Sequence, residues 1–532
     1  MNDREVFRDE DFVHILKKII YMRYGWFIII LHCETITENL DMMKKQKRGL
    51  LMGVLMSATA MFGFTSCSSD TPGALEDQPA AVAVKTIQMT AFSGGQQNVT
   101  GLEDGLYSLE FFAKGSGTGY VEAGGKRTAL VSSPEVLKQG FVRGIEVNGG
   151  TCAISIHGED AAVFSNMRLV KNGKPFSLLK GGDISMLTYA EQNGAKYHDE
   201  GKQGDCVEIL KANGMNLVRL RLYNEPGKYP YRGYSLEPGI QDEADILALA
   251  KRAKAAGMQI LLTFHYSDFW TNGEDQFLPH SWEGKTADEV RQSLYDFTHG
   301  FMEKMKSQGT TPEYVSLGNE TQAGMLYPLG GPLTTSDADY MTKVKNVAAF
   351  YNAGYEAVKS SSPDTKVIIH LHSAGDKDLY NWYFGLMNDW NVQYDIIGAS
   401  YYPFWTGRDA KSVCEWAEYT TNKFDKDLIF MEVGYAWQQK IHDGVTDGQL
   451  SHNWPYTDLS QEGQKNFMLE LTNEIKKVGN GRVLGYSYWD PIFIPAGTAG
   501  WAVGQVNAVS NSALFDFDGN ALPVFDAFRN NN

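Results

Sequence analysis

Basic residues are scarce in this sequence. In a chain of 532 residues, 48 Lys and Arg residues stand against 64 Asp and Glu residues, and the formal net charge at pH 7 is -16. Nucleic acids and anionic lipid surfaces bind proteins through basic patches, because their phosphate groups must be neutralised. The composition therefore argues against nucleic acid as a partner and leaves neutral substrates open.

Cysteine is also rare. The five cysteines are Cys33, Cys67, Cys152, Cys206 and Cys414. The first two lie in a leader region, and the other three are odd in number and lack the spacing of metal ligands. We therefore expect buried thiols rather than a disulfide framework or a zinc site.

The first 67 residues contain no apolar run long enough to span a bilayer. The patch Tyr24–Leu31 is too short. Met43 is followed by basic residues at 44, 45, 47 and 48, by an apolar stretch from Gly49 to Phe64, and by Thr65-Ser66-Cys67. This order resembles a bacterial lipoprotein signal, in which Cys67 would be lipidated and become the mature N-terminus. It implies a start codon assigned upstream of the true one and a protein lipid-anchored in the cell envelope, at the outer membrane or cell surface. A plain cleaved secretory signal is the alternative.

Residues 68–82 are small, polar and acidic, which is typical of a flexible tether. Residues 83–172 show short alternating strands separated by Gly-rich turns, and no helical period intervenes. This pattern predicts a small all-β sandwich, similar to the jelly-roll modules that accompany glycan-degrading enzymes. Carbohydrate binding and a spacer role both remain open for it. The predicted strands are Thr86–Met89, Gly105–Phe112, Gly119–Glu122, Arg127–Val131, Phe141–Val147 and Thr151–Ile156.

Residues 173–532 alternate buried strands with amphipathic helices. Eight β-then-α units in about 360 residues predict a (β/α)8 barrel with long loops at its C-terminal face. The predicted strands are Leu178–Asp183, Asn216–Leu222, Met258–His265, Glu313–Leu317, Lys366–Leu371, Asp395–Ser400, Asp427–Met431 and Arg482–Tyr488. The predicted helices are Gln241–Ala256, Thr286–Ser307, Asp337–Ser360, Lys411–Lys423 and Ser460–Val478.

Two of these strands end in a glutamate. Glu320 follows the fourth strand and Glu432 ends the seventh. Side chains at the carboxyl ends of barrel strands meet at one mouth, so the two carboxyl groups can face each other. Two carboxylates are the minimum equipment for hydrolysing a glycosidic bond, and a retaining enzyme holds them about 5 Å apart.

Six segments, taken in order along the barrel region, resemble glycoside hydrolase family 53. They are Lys180-Gly181-Gly182-Asp183-Ile184-Ser185, Val218-Arg219-Leu220-Arg221-Leu222, Phe264-His265-Tyr266-Ser267-Asp268-Phe269-Trp270, Ser316-Leu317-Gly318-Asn319-Glu320, Gly398-Ala399-Ser400-Tyr401-Tyr402-Pro403-Phe404 and Tyr488-Trp489-Asp490-Pro491. The resemblance implies an endo-β-1,4-galactanase with Glu320 as acid/base and Glu432 as nucleophile.

Polar residues beside the two glutamates are expected to support them. Asn319 is placed to hydrogen-bond a sugar hydroxyl next to the cleaved bond, unless it only caps a loop. Arg219 and Arg221 share the inner face of the second strand, where an arginine is costly unless it is paired. We expect Arg219, which matches the family, to keep the nucleophile ionised; Arg221 is an alternative for that role or purely structural.

The resemblance further implies substrate-binding roles for His265, Asp268 and Tyr401. Trp270, Trp489 and Trp501 are proposed as sugar platforms, because an indole ring can stack on the apolar face of galactose. Core packing is the competing interpretation for each tryptophan.

No cofactor is expected to be required. A structural calcium site is left open, with Asp443, Asp447 and Asn453 as candidates after the seventh strand, but these residues do not form a compact series of oxygen ligands. The segment Asp516–Asn520 is better explained as a turn.

The function predicted from the sequence is retaining endo-hydrolysis of β-1,4-galactan, in pectic arabinogalactan side chains, by a surface lipoprotein that is a monomer. The alternatives are another β-glycanase of the same clan, acting on mannan or glucan, and a non-catalytic surface protein that binds glycans.

Overall fold

The computed structural model describes residues 84–86, 96–115, 119–130, 133–158, 163–172, 178–478 and 481–529. The predicted leader, the tether and the lipidation site Cys67 lie outside the described residues. So do residues 87–89 of the first predicted strand.

The first eight strands form two antiparallel four-stranded sheets, in the orders β1-β8-β3-β6 and β2-β7-β4-β5. Both sheets contribute side chains to one apolar core, which includes Leu109, Val121, Ile154 and Leu169. Strands β2 and β8 were not predicted from the sequence. The strands are β1 (Val84–Thr86), β2 (Gln96–Thr100), β3 (Gly105–Gly115), β4 (Gly119–Ala123), β5 (Lys126–Leu130), β6 (Ser133–Val147), β7 (Thr151–Gly158) and β8 (Val163–Asn172).

Eight parallel strands then close into a barrel, which confirms the predicted fold class. Each predicted barrel strand overlaps an observed one, and consecutive strands are neighbours around the barrel. The barrel strands are β9 (Leu179–Asp183), β12 (Leu217–Leu222), β13 (Gln259–Phe264), β14 (Tyr314–Leu317), β15 (Lys366–Leu371), β16 (Ile396–Tyr401), β17 (Asp427–Val433) and β18 (Val483–Tyr488). A small hairpin, β10 (Tyr197–Asp199) and β11 (Lys202–Gly204), follows β9.

Six helices of the described barrel begin at a residue whose side chain accepts hydrogen bonds from the first turn. The predicted helix Thr286–Ser307 starts with a capping box between Thr286 and Glu289, and Asp409 and Ser460 each cap a later helix, whereas the helix that starts at Tyr340 has no side-chain cap. The helices are α1 (Leu187–Gln192), α2 (Cys206–Ala212), α3 (Glu243–Ala255), α4 (Ala287–Ser307), α5 (Tyr340–Ser361), α6 (Lys377–Asp389), α7 (Pro403–Thr406), α8 (Ala410–Phe424), α9 (Gln461–Lys477) and α10 (Phe525–Arg529). None of the helices in the described part of the chain has the length and apolar character needed to cross a membrane.

The barrel interior changes from apolar to polar along the strands. Leu217, Leu261 and Ile429 belong to a buried cluster inside the barrel, together with residues of three other strands. Alternate residues of a strand share a face, so Arg219 follows Leu217 on the inside and Thr263 follows Leu261. The polar layer therefore lies toward the carboxyl ends of the strands.

The all-β domain contacts the opposite end of the barrel. The ring of Phe141 on β6 lies 4.7 Å from the guanidinium of Arg143 and 5.3 Å from that of Arg482. Arg143 is also 3.9 Å from Asp427, the first residue of β17. Because these contacts are at the amino-terminal ends of β17 and β18, the domain lies away from the end that carries Glu320.

Candidate active site

A cleft of about 460 Å³ lies at the carboxyl ends of the barrel strands. Six of the residues predicted for the site line it: Asn319, Glu320, Glu432, Trp270, Trp489 and Trp501. Side chains that were not predicted line it too, among them Tyr402, Trp405, Asp490, Tyr234 and Gln449.

Glu320 follows β14 in a tight turn. Gly318 has φ 84° and Glu320 itself has φ 50°, and this turn carries the carboxyl group into the cleft. Ser400 Oγ donates a hydrogen bond of 2.7 Å to Glu320 Oε1. Loss of surrounding water, and then the negative charge of Glu432, raise the pKa of Glu320 to about 7 against the opposing effect of Ser400. Glu320 is therefore held as a neutral acid below neutral pH.

Two hydrogen-bond donors hold the side chain of Glu432. Its side chain is almost completely buried, and its Oε1 accepts a hydrogen bond of 2.6 Å from the guanidinium of Arg219. Its Oε2 accepts a hydrogen bond of 2.8 Å from the hydroxyl of Tyr402. A buried cation and a hydroxyl donor both stabilise the negative carboxylate. Glu320 and Glu432 therefore line the same cleft with different hydrogen-bond donors, a serine hydroxyl for Glu320 and a guanidinium and a tyrosine hydroxyl for Glu432.

An irregularity in β17 brings Glu432 to the interior. The pairing of β16 with β17 goes from Ala399 opposite Phe430 to Ser400 opposite Glu432, which leaves Met431 as an extra residue. Met431 packs in the inner cluster of the barrel, and the adjacent Glu432 also reaches the interior to meet Arg219. In a regular strand only one of the neighbours Met431 and Glu432 would face the interior. The bulge allows both side chains to face it.

Arg219 and Arg221 are both fully buried and both paired. Arg219 Nη1 is 3.6 Å from Asp183, and Arg221 Nε is 3.4 Å from the same carboxylate. Arg221 also donates a hydrogen bond of 3.1 Å to Asp490 Oδ1. Burial by itself would lower the pKa of Arg219, but Glu432 and Asp183 raise it above its ordinary value. The arginine expected to face the nucleophile therefore stays charged.

Asp490 is, with Glu320, the second carboxyl of the cleft lining whose pKa is raised. Burial, together with the charges of Asp183 and Glu432, raises its pKa to about 7, although Arg221 opposes this change. Neither Asp183 nor Asp490 was given a role from the sequence. Both lie in the segments that resemble the family, which was the only available signal.

Asn319 is held by three bonds while it lines the cleft. Its Oδ1 accepts from Arg219 at 2.8 Å, its Nδ2 donates to the carbonyl of Thr271 at 2.8 Å, and its own carbonyl accepts from Gln276 at 2.6 Å. An amide nitrogen has two protons, so one remains to donate to a sugar hydroxyl.

Three tryptophans and a buried arginine form an aromatic wall. Trp270 Nε1 donates a hydrogen bond of 2.8 Å to the carbonyl of Trp501. The guanidinium of Arg221 lies 4.6 Å from the ring of Trp270 and 4.5 Å from the ring of Trp489. These cation–π contacts fix the two rings in place.

Besides Arg219, three predicted binding residues are absent from the cleft lining as the described residues define it. His265 is buried and hydrogen-bonds Thr271 at 2.7 Å, and burial lowers its pKa well below its usual value. Asp268 accepts from the backbone amides of Glu225 and His280, at 2.9 and 2.7 Å, and burial raises its pKa. Tyr401 is fully buried, and its hydroxyl donates to the carbonyl of Arg408 at 3.0 Å.

The neighbouring Tyr402 reaches Glu432 instead. Both tyrosines lie in the matched segment Ser400-Tyr401-Tyr402, and the residue alternation needed to choose between them is disturbed by the bulge beside Ser400. Ser400 itself, which was given no role, lies within hydrogen-bond distance of both Glu320 and His370, at 2.7 and 2.8 Å.

Of the calcium candidates, Asp443 acts as a turn residue, as Asp516 does, whereas Asp447 pairs with Lys440 and Asn453 bonds the backbone of Ala436. Asp443 accepts from the backbone amides of Val445 and Thr446, and Asp516 accepts from those of Asp518 and Asn520, with distances between 2.8 and 3.0 Å. Among the described residues, no group of three or more His, Cys, Asp or Glu side chains is arranged to bind a metal ion. Cys152, Cys206 and Cys414 are buried free thiols.

A closed (β/α)8 barrel that carries two glutamates and several tryptophans in one cleft, at the carboxyl ends of its strands, is the arrangement of a glycoside hydrolase. Comparison with known families agrees with this class. The sequence model of glycosyl hydrolase family 53 matches residues 179–528, and the chain belongs to this family.

Characterised relatives cover most of the same region. The arabinogalactan endo-β-1,4-galactanase of Cellvibrio japonicus is 30% identical over 368 residues, which are 68% of this chain and 92% of that protein. The endo-β-1,4-galactanase of Bacillus subtilis is 28% identical over 383 residues, 66% of this chain and 85% of that protein. The solved Ignisphaera aggregans GH53 catalytic domain superposes with a TM-score of 0.61 at 30% identity, over 67% of this chain and 97% of that domain.

Proposed function

We propose that this chain is an endo-β-1,4-galactanase that cleaves internal bonds of galactan with retention of configuration. Glu320 is the general acid/base and Glu432 is the nucleophile. Membership of family 53 and the names of the relatives from Cellvibrio japonicus and Bacillus subtilis support this substrate.

The observation that carries the proposal is the contrast between the two carboxyl groups. Glu320 has a pKa raised to about 7, whereas Glu432 is bound by Arg219 and Tyr402. A carboxyl group with a raised pKa can act as the acid, and a carboxylate that accepts hydrogen bonds from a guanidinium and a hydroxyl can act as the nucleophile. The aromatic wall beside them suits stacking on sugar rings.

The chemistry then follows in two steps. Glu432 attacks the anomeric carbon while Glu320 gives its proton to the leaving oxygen, which forms a glycosyl ester on Glu432. Glu320, now ionised, takes a proton from a water molecule that attacks the same carbon, and Glu432 leaves as a carboxylate. Arg219 stabilises the charge that Glu432 regains.

The test is hydrolysis of a panel of polysaccharides. The purified protein should release reducing ends rapidly from β-1,4-galactan and much more slowly from mannan and cellulose, and NMR should show the β-anomer as the first product. Faster release from mannan or cellulose would assign another β-glycanase activity of the same clan. Binding of galactan without release would assign a glycan-binding protein.

The catalytic roles are tested by removing each carboxyl group. Glu432→Gln and Glu320→Gln should each lower turnover on galactan by about 10³-fold or more while the fold remains intact. With an aryl galactoside, whose leaving group needs little protonation, Glu320→Gln should still release the aryl group in the first step. Rapid full turnover by Glu432→Gln would contradict its assignment as nucleophile.

We also propose that the protein is a lipid-anchored envelope protein, with Cys67 as the acylated residue. The support is the basic, apolar and Cys-terminated order of residues 43–67. Cells that carry Cys67→Ala should release the protein from the membrane fraction or retain its precursor. Unchanged membrane association would show that another segment anchors it.

A further inference from the structure

An exposed aromatic surface continues outward from the cleft on the side of the loops that follow β16 and β17. Trp405, on the short helix α7, lines the cleft, and 54% of its surface is exposed. Trp454 is 62% exposed and does not line the cleft. Exposed tryptophans are uncommon because burial of the indole ring is favourable, so two near one sugar-binding cleft need an explanation.

The segments that carry these two tryptophans are in contact. The ring of Phe404, next to Trp405, lies 4.2 Å from the ring of His452. A Cβ placed on Gly407 would be 3.7 Å from Trp454 Cδ1, so the indole lies against the end of α7. Gln449 of the same loop lines the cleft. The loop therefore lines the cleft at Gln449 and contacts α7 or its end at His452 and Trp454.

The loop is held by hydrogen bonds on either side of Trp454. The side chain of Asn453 exchanges two bonds with the backbone of Ala436, at 3.0 and 2.8 Å. The hydroxyl of Tyr456 accepts from the backbone amide of Ala410 at 2.8 Å. Because these bonds fix the segment, the ring of Trp454 keeps one position and loses little conformational entropy when it binds a ligand.

We infer that Trp454 is a distal sugar platform that extends the substrate site beyond the cleft, with Trp405 between it and the catalytic pair. The inference rests on the proposed function and specifies how a long galactan chain is bound. Its ligand is a β-linked galactosyl chain too long for the cleft alone. A sugar ring stacks on the exposed face of the indole through its C–H groups.

The test compares long and short substrates. Trp454→Ala should raise KM on polymeric galactan about threefold to tenfold, and it should leave kcat/KM on galactotriose unchanged. Trp454→Phe, which keeps a ring, should retain most of the affinity for the polymer. Val445→Ala is the matched control, because Val445 is an apolar residue of the same inter-strand region and is 74% exposed.

Binding without catalysis gives a second measurement. In the inactive Glu432→Gln background, Trp454→Ala should weaken retardation by galactan in affinity electrophoresis by a similar factor. Unchanged KM and retardation on the polymer, or an equal loss on galactotriose and polymer, would overturn the inference. Absence of wild-type activity on galactan would instead overturn the proposed function, so the two failures are distinct.

Discussion

Glu320 and Glu432 are the same kind of side chain in different surroundings, and the difference sets the expected pH dependence. The raised pKa of Glu320 means that it loses its proton as the pH rises through about 7. If Glu320 is the acid, activity is fully present below that pKa and is lost above it. The hydrogen bond from Ser400 stabilises the ionised form and therefore keeps this pKa lower than it would otherwise be.

Removal of the Ser400 hydroxyl should shift the pH at which activity is lost as Glu320 releases its proton. We expect Ser400→Ala to shift the basic limb of kcat/KM to higher pH by about half a unit to one unit, because a hydrogen bond to an ionised group contributes about 1 kcal/mol or more. The measurement is a pH–rate profile on an oligosaccharide. Glu320→Gln, assayed with an aryl galactoside, should lack the limb altogether. A shift of the limb to lower pH would contradict the proposed role of Ser400.

The adjacent tyrosines offer a matched pair of variants. Tyr402→Phe removes the hydroxyl that donates to Glu432, and it should lower kcat about tenfold to a hundredfold with little change in stability. Tyr401→Phe removes a bond to the carbonyl of Arg408 in the core, and it should cost about 1 kcal/mol of unfolding free energy while kcat stays near the wild-type value. Steady-state kinetics of both variants measures kcat, and urea unfolding measures the change in unfolding free energy. Equal kinetic effects would mean that the hydroxyl of Tyr402 has no special role.

At the scale of secondary structure, the barrel could be predicted because its strands are apolar on both faces. Such strands are short, nearly continuous apolar runs, and amphipathic helices between them mark the order of a (β/α)8 fold. Helix α6 was missed, although its start is capped by Asp376, because aromatic residues such as Tyr380 and Trp382 obscure its polar face. Strand β2 was missed because polar residues dominate it, and β8 was missed because its apolar and polar residues do not alternate strictly.

The candidate site was predictable where a residue directly follows a strand. Glu320 and Asn319 follow the buried run of β14, and Trp489 follows β18. Tyr401 was chosen by resemblance alone, and strand alternation would not have distinguished it from Tyr402, because a bulge beside Ser400 disturbs the alternation. His265 and Asp268 were also placed by resemblance alone. The partner of His265 is the nearby Thr271, whereas Asp268 binds the backbone amides of Glu225 and His280.

Asp268 joins two loops at the mouth of the barrel. Its two carboxylate oxygens accept from backbone amides in the loops that follow β12 and β13. Asp268→Asn should destabilise the fold by about 1–3 kcal/mol, because the amide turns one acceptor into a donor that faces an N–H group. Urea unfolding measures this loss. KM for galactan should rise as the loops loosen, whereas kcat should fall less.

Asp275→Asn is the control for Asp268→Asn, because Asp275 lies in the same region and pairs with the exposed Arg232. Exposed ion pairs contribute little, so this variant should change the unfolding free energy by less than about 1 kcal/mol. A change in turnover without any loss of stability in Asp268→Asn would indicate direct contact with the substrate, as the family resemblance implied.

At the scale of the whole molecule, the all-β domain and the catalytic cleft are at different ends of the barrel. The domain contacts Asp427 and Arg482 at the amino-terminal ends of β17 and β18, and Arg127 of β5 forms a bridge with Val478 after α9. None of the residues that line the cleft precedes residue 231. Because the described part of the domain contributes no side chain to the cleft, we expect the domain to affect catalysis on short substrates through the stability of the barrel.

A truncated chain that begins at residue 173 should separate these effects. It should hydrolyse galactotriose with kcat/KM within about twofold of the full-length value, because the cleft and all eight barrel strands remain. Its thermal midpoint should fall, since removal of Phe141 exposes the apolar part of Arg482 and removes a cation–π contact worth about 1 kcal/mol. Full-length Phe141→Ala should reproduce part of this fall without any change in turnover. A truncated chain that keeps its thermal midpoint but loses turnover on galactotriose would show that the all-β domain supplies part of the active site.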